Sequence, residues 1–237
     1  MVDRHGAIVR GDTTSRQIAL VFTGDEFADG GEVISKVLQK HQAKASFFLT
    51  GRFYRNPDFK GLIRELKKDG HYLGAHSDEH LLYCDWTKRD SLLVTREQFS
   101  EDLQRNYQRM EAFGVKKSDA PYYLPPYEWY NHSIANWTEA EGLQLVNFSP
   151  GTRSAADYTY PEMGNRYVSS ETVLQSIMGY EAKDRNGLNG FMLLLHIGTD
   201  PRREDKFYHR LDEMMTLLEQ KGYRFVRLDD LLEQRKN

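Results

Sequence analysis

His76-Ser77-Asp78-Glu79-His80 places two imidazoles four residues apart, directly after the apolar run Tyr72-Leu73-Gly74-Ala75. Two histidines at that spacing are able to close on one metal ion, and a strand running into them would hold them still. His196 ends a second apolar run, Phe191-Met192-Leu193-Leu194-Leu195, and Asp25 follows a third, Ile18 to Thr23. Asp plus two His forms a three-ligand set for a catalytic divalent ion with a position left open for water. His196 is a candidate general acid, because an ordinary imidazole titrates near neutrality. Each residue also has a plainer reading. His196 fits a satisfied core histidine, and Asp25 fits a turn or capping carboxylate beside Gly24. Tyr127, Trp129, Trp86, Tyr130 and Tyr158 either line a sugar-binding cleft or simply pack.

The elements that must position these residues alternate along the chain. Strands are expected at Ile18 to Thr23, Ala45 to Leu49, Tyr72 to Ala75, Tyr122 to Leu124, Leu143 to Phe148, Phe191 to Leu195 and Tyr223 to Arg227. Helices are expected between them. Gly31 to His41 carries Val33, Ile34, Val37 and Leu38 at helical spacing, and a helix through Leu62, Ile63 and Leu66 stops at Asp69-Gly70. Thr95 to Phe113 shows one stripe, Phe99, Leu103, Tyr107 and Met110, and ends at Gly114. Ile134 to Glu141, Ser170 to Glu181, Arg203 to Gln220 and a closing helix from Leu228 to Gln234 complete the series. Pro150 to Tyr167, rich in Gly, Ser, Tyr and Pro, reads as a long functional loop. Strand–helix alternation of this kind predicts an α/β fold, a closed or nearly closed parallel barrel. In such a barrel the functional groups stand on the loops after the strands, which puts Asp25, His76, His80, Tyr127 and His196 on one rim.

Composition narrows the partners. The 237 residues carry 32 basic and 35 acidic side chains, well mixed, for a net charge of -3, so nucleic acid is not an expected partner. No apolar run has the length of a membrane span. The single cysteine, Cys84, excludes an intrachain disulfide and a cysteine zinc site. Met1 to Gly6 contains no apolar core, so no secretory signal is read there, which leaves localisation open. One catalytic domain is expected over residues 18–237, preceded by an extension at 1–17; oligomeric state is not legible.

Leu20-Val21-Phe22-Thr23-Gly24-Asp25, Lys44-Ala45-Ser46-Phe47-Phe48-Leu49-Thr50-Gly51, Gly70 through His80 and Leu193-Leu194-Leu195-His196 together resemble the polysaccharide deacetylases. These are the NodB-homology enzymes, carbohydrate esterase family 4, and the likeness spans roughly Ile18 to Leu232. It implies a distorted (β/α)7 barrel, one divalent ion (zinc first, with cobalt, nickel or manganese as alternatives) and hydrolysis of N- or O-acetyl groups on an oligo- or polysaccharide. It also implies Asp25, His76 and His80 as metal ligands, the Tyr127 backbone N–H as an oxyanion donor, His196 as acid and Asp157 as the carboxylate orienting it. Two departures stand out. The family opens with Phe-Asp-Asp-Gly, base then metal ligand, where this chain has Phe22-Thr23-Gly24-Asp25, with one carboxylate displaced by one position. The arginine that positions the base is Leu124 here. Glu128 is the preferred stand-in base, with Asp29 and Glu26 behind it. Two other readings follow: a non-catalytic carbohydrate-binding relative, and a metallopeptidase in which His76-Ser77-Asp78-Glu79-His80 serves as an H-x-x-E-H motif with Glu79 at the metal.

Overall fold

The central strand, β1 (Gln17–Gly24), is buried along all eight residues because both of its edges and both faces are covered. In the computed structural model, which describes residues 1–233, β6 (Phe191–His196) pairs with Ile18–Thr23 along one edge. The other edge is shared: β7 (Arg224–Val226) takes Gln17–Ala19 and β2 (Ser46–Leu49) takes Val21–Gly24. β3 (Tyr72–Ala75), β4 (Tyr122–Tyr123) and β5 (Gln144–Leu145) continue outward in parallel from β2. The seven-stranded sheet therefore runs β5-β4-β3-β2-β1-β6, with β7 on β1. Curled and covered by helices, it is the expected distorted (β/α)7 barrel.

The gap between β5 and β6 is filled by residues of the expected N-terminal extension. Ile8 bridges Val146 in parallel, and Arg10 bridges Phe191 in antiparallel. The Ile8 N–H donates to Leu145 O at 2.9 Å, and the Ser149 N–H and Met192 carbonyl pair at 3.0 Å beyond it. Ala7, Val9 and Arg10 are buried. The segment is part of the barrel wall.

Among the helices, α1 (Gly31–Lys40), α3 (Lys60–Lys68), α5 (His132–Ala140) and α6 (Ser170–Lys183) fall where the apolar spacing put them. α4 (Arg96–Glu111) starts on a capping box, in which the Thr95 hydroxyl takes the Gln98 N–H and the Gln98 side chain takes the Thr95 N–H. Three features depart from expectation. A short helix α2 (Gly51–Arg55) replaces the turn after β2, capped by Thr50, whose hydroxyl accepts from Phe53 N–H. The expected helix from Arg203 begins only at Phe207 as a 3-10 turn, continuing as α7 (Leu211–Gln220). The reason is that Arg203 is fully buried, donating to the carbonyls of Thr159 and Val168 and to Ser170 Oγ, so its backbone serves a tether. The strand expected at 143–148 is regular only at β5, because its continuation pairs with the N-terminal segment through single bridges. The last helix, α8, covers Leu228–Glu233; the expected end at Gln234 lies outside the described residues. No helix among them is long and apolar enough to cross a membrane.

Candidate active site

At the carboxyl ends of the strands lies a cleft of about 670 Å³, lined by Asp25, His76, His80, Glu128 and His196, with Tyr127, Trp86, Tyr158 and Arg166 around them. Its size suits a small ligand or a few sugar rings. Each lining group is held by a different element.

The histidine loop hangs from β3 and is pinned from below by α4. Asn106 Oδ1 takes the His76 N–H at 2.8 Å. The buried Asp102 carboxylate takes the Ser77 hydroxyl at 2.6 Å and the N–H groups of Asp78 and Glu79 at 2.9 and 3.0 Å. These bonds hold a strained backbone: Ser77 and His80 have φ of 73° and 53°, in the left-handed region. His76 Nδ1 lies 2.8 Å from Leu124 O, which only accepts, so Nδ1 carries the proton and Nε2 keeps its lone pair. Burial, reinforced by neighbouring charge, presses both imidazoles to about 3: His80 and His196 act on His76, and Arg52 and His196 act on His80. Both rings are neutral at pH 7, and their centroids are 5.1 Å apart.

Asp25 stands beside this pair with both oxygens engaged. Thr50 Oγ1 donates to Oδ1 at 2.8 Å, and Arg52 Nη2 donates to Oδ2 at 2.7 Å. Oδ2 lies 3.9 Å from His80 Nδ1, wider than the roughly 3.4 Å expected between two ligands of one tetrahedral zinc. Among the described residues no three His, Cys, Asp or Glu side chains form a cage for a metal. The donor chemistry of His76 and His80 fits an ion, whereas Asp25 as placed does not complete the set.

Glu128 points into the same cleft from a tight turn after β4. Tyr127 and Glu128 both adopt positive φ, 58° and 53°, a costly conformation for two consecutive residues that carry side chains. The Tyr127 ring packs on His80 at 4.4 Å, and its N–H has no hydrogen-bond partner among the described residues. Burial pushes the Glu128 carboxyl up to about 7; the charge of Asp157 adds to this and that of His196 opposes it. His196 ends β6, with Nδ1 2.6 Å from Asp157 Oδ1 while its own N–H donates to Asp157 Oδ2 at 2.9 Å. Burial favours the neutral ring, but the Asp157 charge and hydrogen bond, with Glu128 behind them, outweigh it and raise His196 above its ordinary value. Asp157 is held by the loop between β5 and α6, which Arg203 anchors.

Several sequence readings change. Asp29 is not a free base: it takes the Thr199 N–H, the Tyr208 hydroxyl and Lys206 Nζ at 2.8 to 2.9 Å. Glu79 does not face the histidines; it pairs with Arg55 at 2.6 Å, and residues 76–80 are not helical, so the H-x-x-E-H peptidase reading loses its base and its helix. Trp129 stands behind the cleft wall, with its indole N–H on Asp85 O, the Arg89 guanidinium 3.9 Å over its ring and Trp86 at 5.7 Å. The indole that reaches the cleft is Trp86, 55% exposed. Cys84 is buried, and that burial pushes its thiol up to about 11, so it is inert. Sequence reasoning missed Asp102 and Asn106, although both interrupt the inward stripe of α4 at helical spacing. Arg52 carried no signal at all.

The family model described as polysaccharide deacetylase matches residues 10–146, more than half of the chain. The chain belongs to the polysaccharide deacetylase family. It is 25% identical over 233 residues to the Bacillus subtilis peptidoglycan-N-acetylmuramic acid deacetylase PdaA, covering 98% of this chain and 77% of that one. It is 26% identical over 219 residues to a Listeria monocytogenes peptidoglycan-N-acetylglucosamine deacetylase, covering 92% of this chain but only 39% of the relative. The solved Bacillus subtilis PdaA, a family 4 carbohydrate esterase, superposes with a TM-score of 0.74 at 23% identity, covering 98% and 86% of the two chains. A family 4 pseudoenzyme from Bacillus anthracis has the same fold, with a TM-score of 0.73 at 19% identity and coverage of 95% and 68%.

Proposed function

We propose that this chain is a hydrolase that removes acetyl groups, N- or O-linked, from a carbohydrate, with Glu128 as general base and His196 as general acid. The observation that carries the reading is a carboxyl near neutrality sharing one cleft with an imidazole whose proton affinity a buried aspartate raises. Two groups in one cleft whose environments raise their proton affinity suit base and acid work at neutral pH. Glu128 takes the proton from a water whose oxygen attacks the acetyl carbonyl carbon. In this reading the unpartnered Tyr127 N–H donates to the developing oxyanion. As the C–N or C–O bond breaks, His196 Nε2 gives its proton to the departing amine or alkoxide, its Nδ1 being committed to Asp157. Acetate leaves, and the proton on Glu128 restores His196. Tyr127, Trp86 and Tyr158 supply aromatic faces on which sugar rings stack, with Trp129 stiffening Trp86 from behind. We propose zinc, before cobalt, nickel or manganese, as a cofactor that His76 and His80 would hold, supplying Lewis acidity to the acetyl carbonyl when bound. The named activities of the two relatives make acetylated peptidoglycan the first glycan to try.

A second reading is a carbohydrate-binding relative without turnover. It is favoured by Thr23 and Gly24, which stand where the family has two carboxylates, and by the pseudoenzyme of the same fold. Acetate release from N-acetylated peptidoglycan fragments and from an O-acetylated xylan, with and without added zinc or cobalt, separates the two. Acetate from either substrate, lost in His196→Ala, supports the first reading. Glycan binding with no acetate from any substrate supports the second.

A further inference from the structure

We infer that Thr23 is a catalytic residue: its hydroxyl accepts one hydrogen of the attacking water while Glu128 takes the other. The inference rests on the proposed hydrolysis and adds to it a group that holds the nucleophile.

Three observations carry it. First, Thr23 lines the cleft from the end of β1 and is 3% exposed, and its Oγ1 is buried without a hydrogen-bond partner among the described residues. Among the described residues, no other that lines the cleft has a buried side-chain polar atom left unpaired. A buried hydroxyl without a partner is costly, and an unmade bond at the floor of a cleft is open to what enters it. Second, the polar groups nearest along the chain and the sheet are already engaged. Thr23 is the register partner of His196 on β6, which sets their side chains on the same face. The Nδ1 of that histidine is committed to Asp157 at 2.6 Å. Asp25, two residues on, has its oxygens held by Thr50 and Arg52 at 2.8 and 2.7 Å. Third, Thr23 shares the cleft with both groups that move protons in the proposed hydrolysis. His196 is its neighbour on the sheet, and Glu128 feels the His196 charge.

An aliphatic hydroxyl does not take up a proton at neutral pH, so Thr23 orients the water without competing with Glu128 as base. With one water hydrogen on Thr23 Oγ1 and the other on Glu128, an oxygen lone pair is left to face the acetyl carbonyl carbon. On attack the O–H bond toward Glu128 breaks and its proton passes to the carboxylate. The hydrogen held by Thr23 stays with the attacking oxygen, which leaves in acetic acid and ionises in solvent.

The test is steady-state acetate release from N-acetylated peptidoglycan fragments and from an O-acetylated xylan. Thr23→Val, which keeps the shape and removes the hydroxyl, should lower kcat by about 10–100-fold and change KM by less than about two-fold. Its denaturation midpoint should not fall, because no hydrogen bond within the protein is lost. Thr23→Ser should recover most of the lost rate. Thr23→Val combined with Glu128→Gln should be little slower than Glu128→Gln, since both side chains hold one water. Thr23→Ala serves as a second hydroxyl-free variant should valine crowd the strand. An unaltered kcat in the hydroxyl-free variants overturns the inference and leaves deacetylation standing. A raised KM at constant kcat also overturns it, by placing the hydroxyl on the sugar. So does a loss of rate that follows a loss of stability and that serine does not recover, which marks a packing residue. No acetate from the unaltered chain on either substrate overturns both the inference and the reading beneath it.

Discussion

Replacing Glu128 by Gln should make the protein slower and more stable at once, and the two effects should part company with pH. The folded carboxyl sits at about 7 against an ordinary 4.5, so the folded chain holds this proton more tightly than the unfolded chain. For a raised carboxyl the stabilising contribution is complete below about 4.5 and is lost as pH climbs through about 7. The gap corresponds to roughly 3 kcal/mol at pH 8. Glu128 is partly open to the cleft, and screening leaves about 1–2 kcal/mol of that. Glutamine does not ionise and escapes the cost, so its melting temperature should exceed that of the unaltered protein by roughly 2–8 °C at pH 8. Near pH 4 the two should melt together. Acetate release should fall by about 10²–10⁴-fold, and the acid limb of the pH–rate profile should disappear. Differential scanning fluorimetry across pH, paired with an acetate assay, reads both. A variant with unchanged rate, an intact acid limb and no gain in stability at pH 8 would place Glu128 in ordinary solvent and refute the base assignment.

Asp157→Asn removes the charge that raises His196, so the imidazole should lose its proton at lower pH and the alkaline limb of the profile should move to lower pH. Because Glu128 and His196 titrate together, the profile reports the pair. Asp102→Ala leaves the Ser77 hydroxyl and the N–H groups of Asp78 and Glu79 without their acceptor; the loss should exceed about 3 kcal/mol by chemical denaturation. It should also weaken zinc binding, although Asp102 touches no ion. Trp86→Ala should raise KM with a smaller effect on kcat, whereas Trp129→Ala should act in the same direction but more weakly, since it only supports Trp86. Kinetics on one oligosaccharide separates the two.

The barrel was legible because its inner strands are short apolar runs and its helices carry clean stripes with glycine stops at Gly114 and Gly142. What was not legible depends on partners distant in the chain. α2 has five residues, too few for a periodic signal, and exists because its first N–H groups meet the carbonyls of Ser77 and Asp78. The late start of α7 follows from a buried arginine that ties down a loop about 40 residues earlier. At the site, His76, His80, Tyr127, Glu128 and His196 announced themselves by standing after strands, and the cleft gathers all five. The role of Asp25 was not readable, since the residue that decides it, Arg52, lies on another element. Glu128 and Trp129 are consecutive, yet one enters the cleft and the other backs it, which only the left-handed turn at Tyr127 and Glu128 determines.

The segment from Ile8 to Gly11 has a kinetic consequence. It joins β5 and β6 through pairs as far apart in sequence as Arg10 and Asn189, separated by 179 positions, and Val9 and Ser149, separated by 140. Such contacts repay their loop-closure entropy only after most of the chain has condensed, so the seam belongs to the late, slow part of folding. Until it closes, β5 and β6 present raw edges, which are templates for pairing with other chains. The seam between the chain's beginning and its sixth strand is therefore where refolding and aggregation compete.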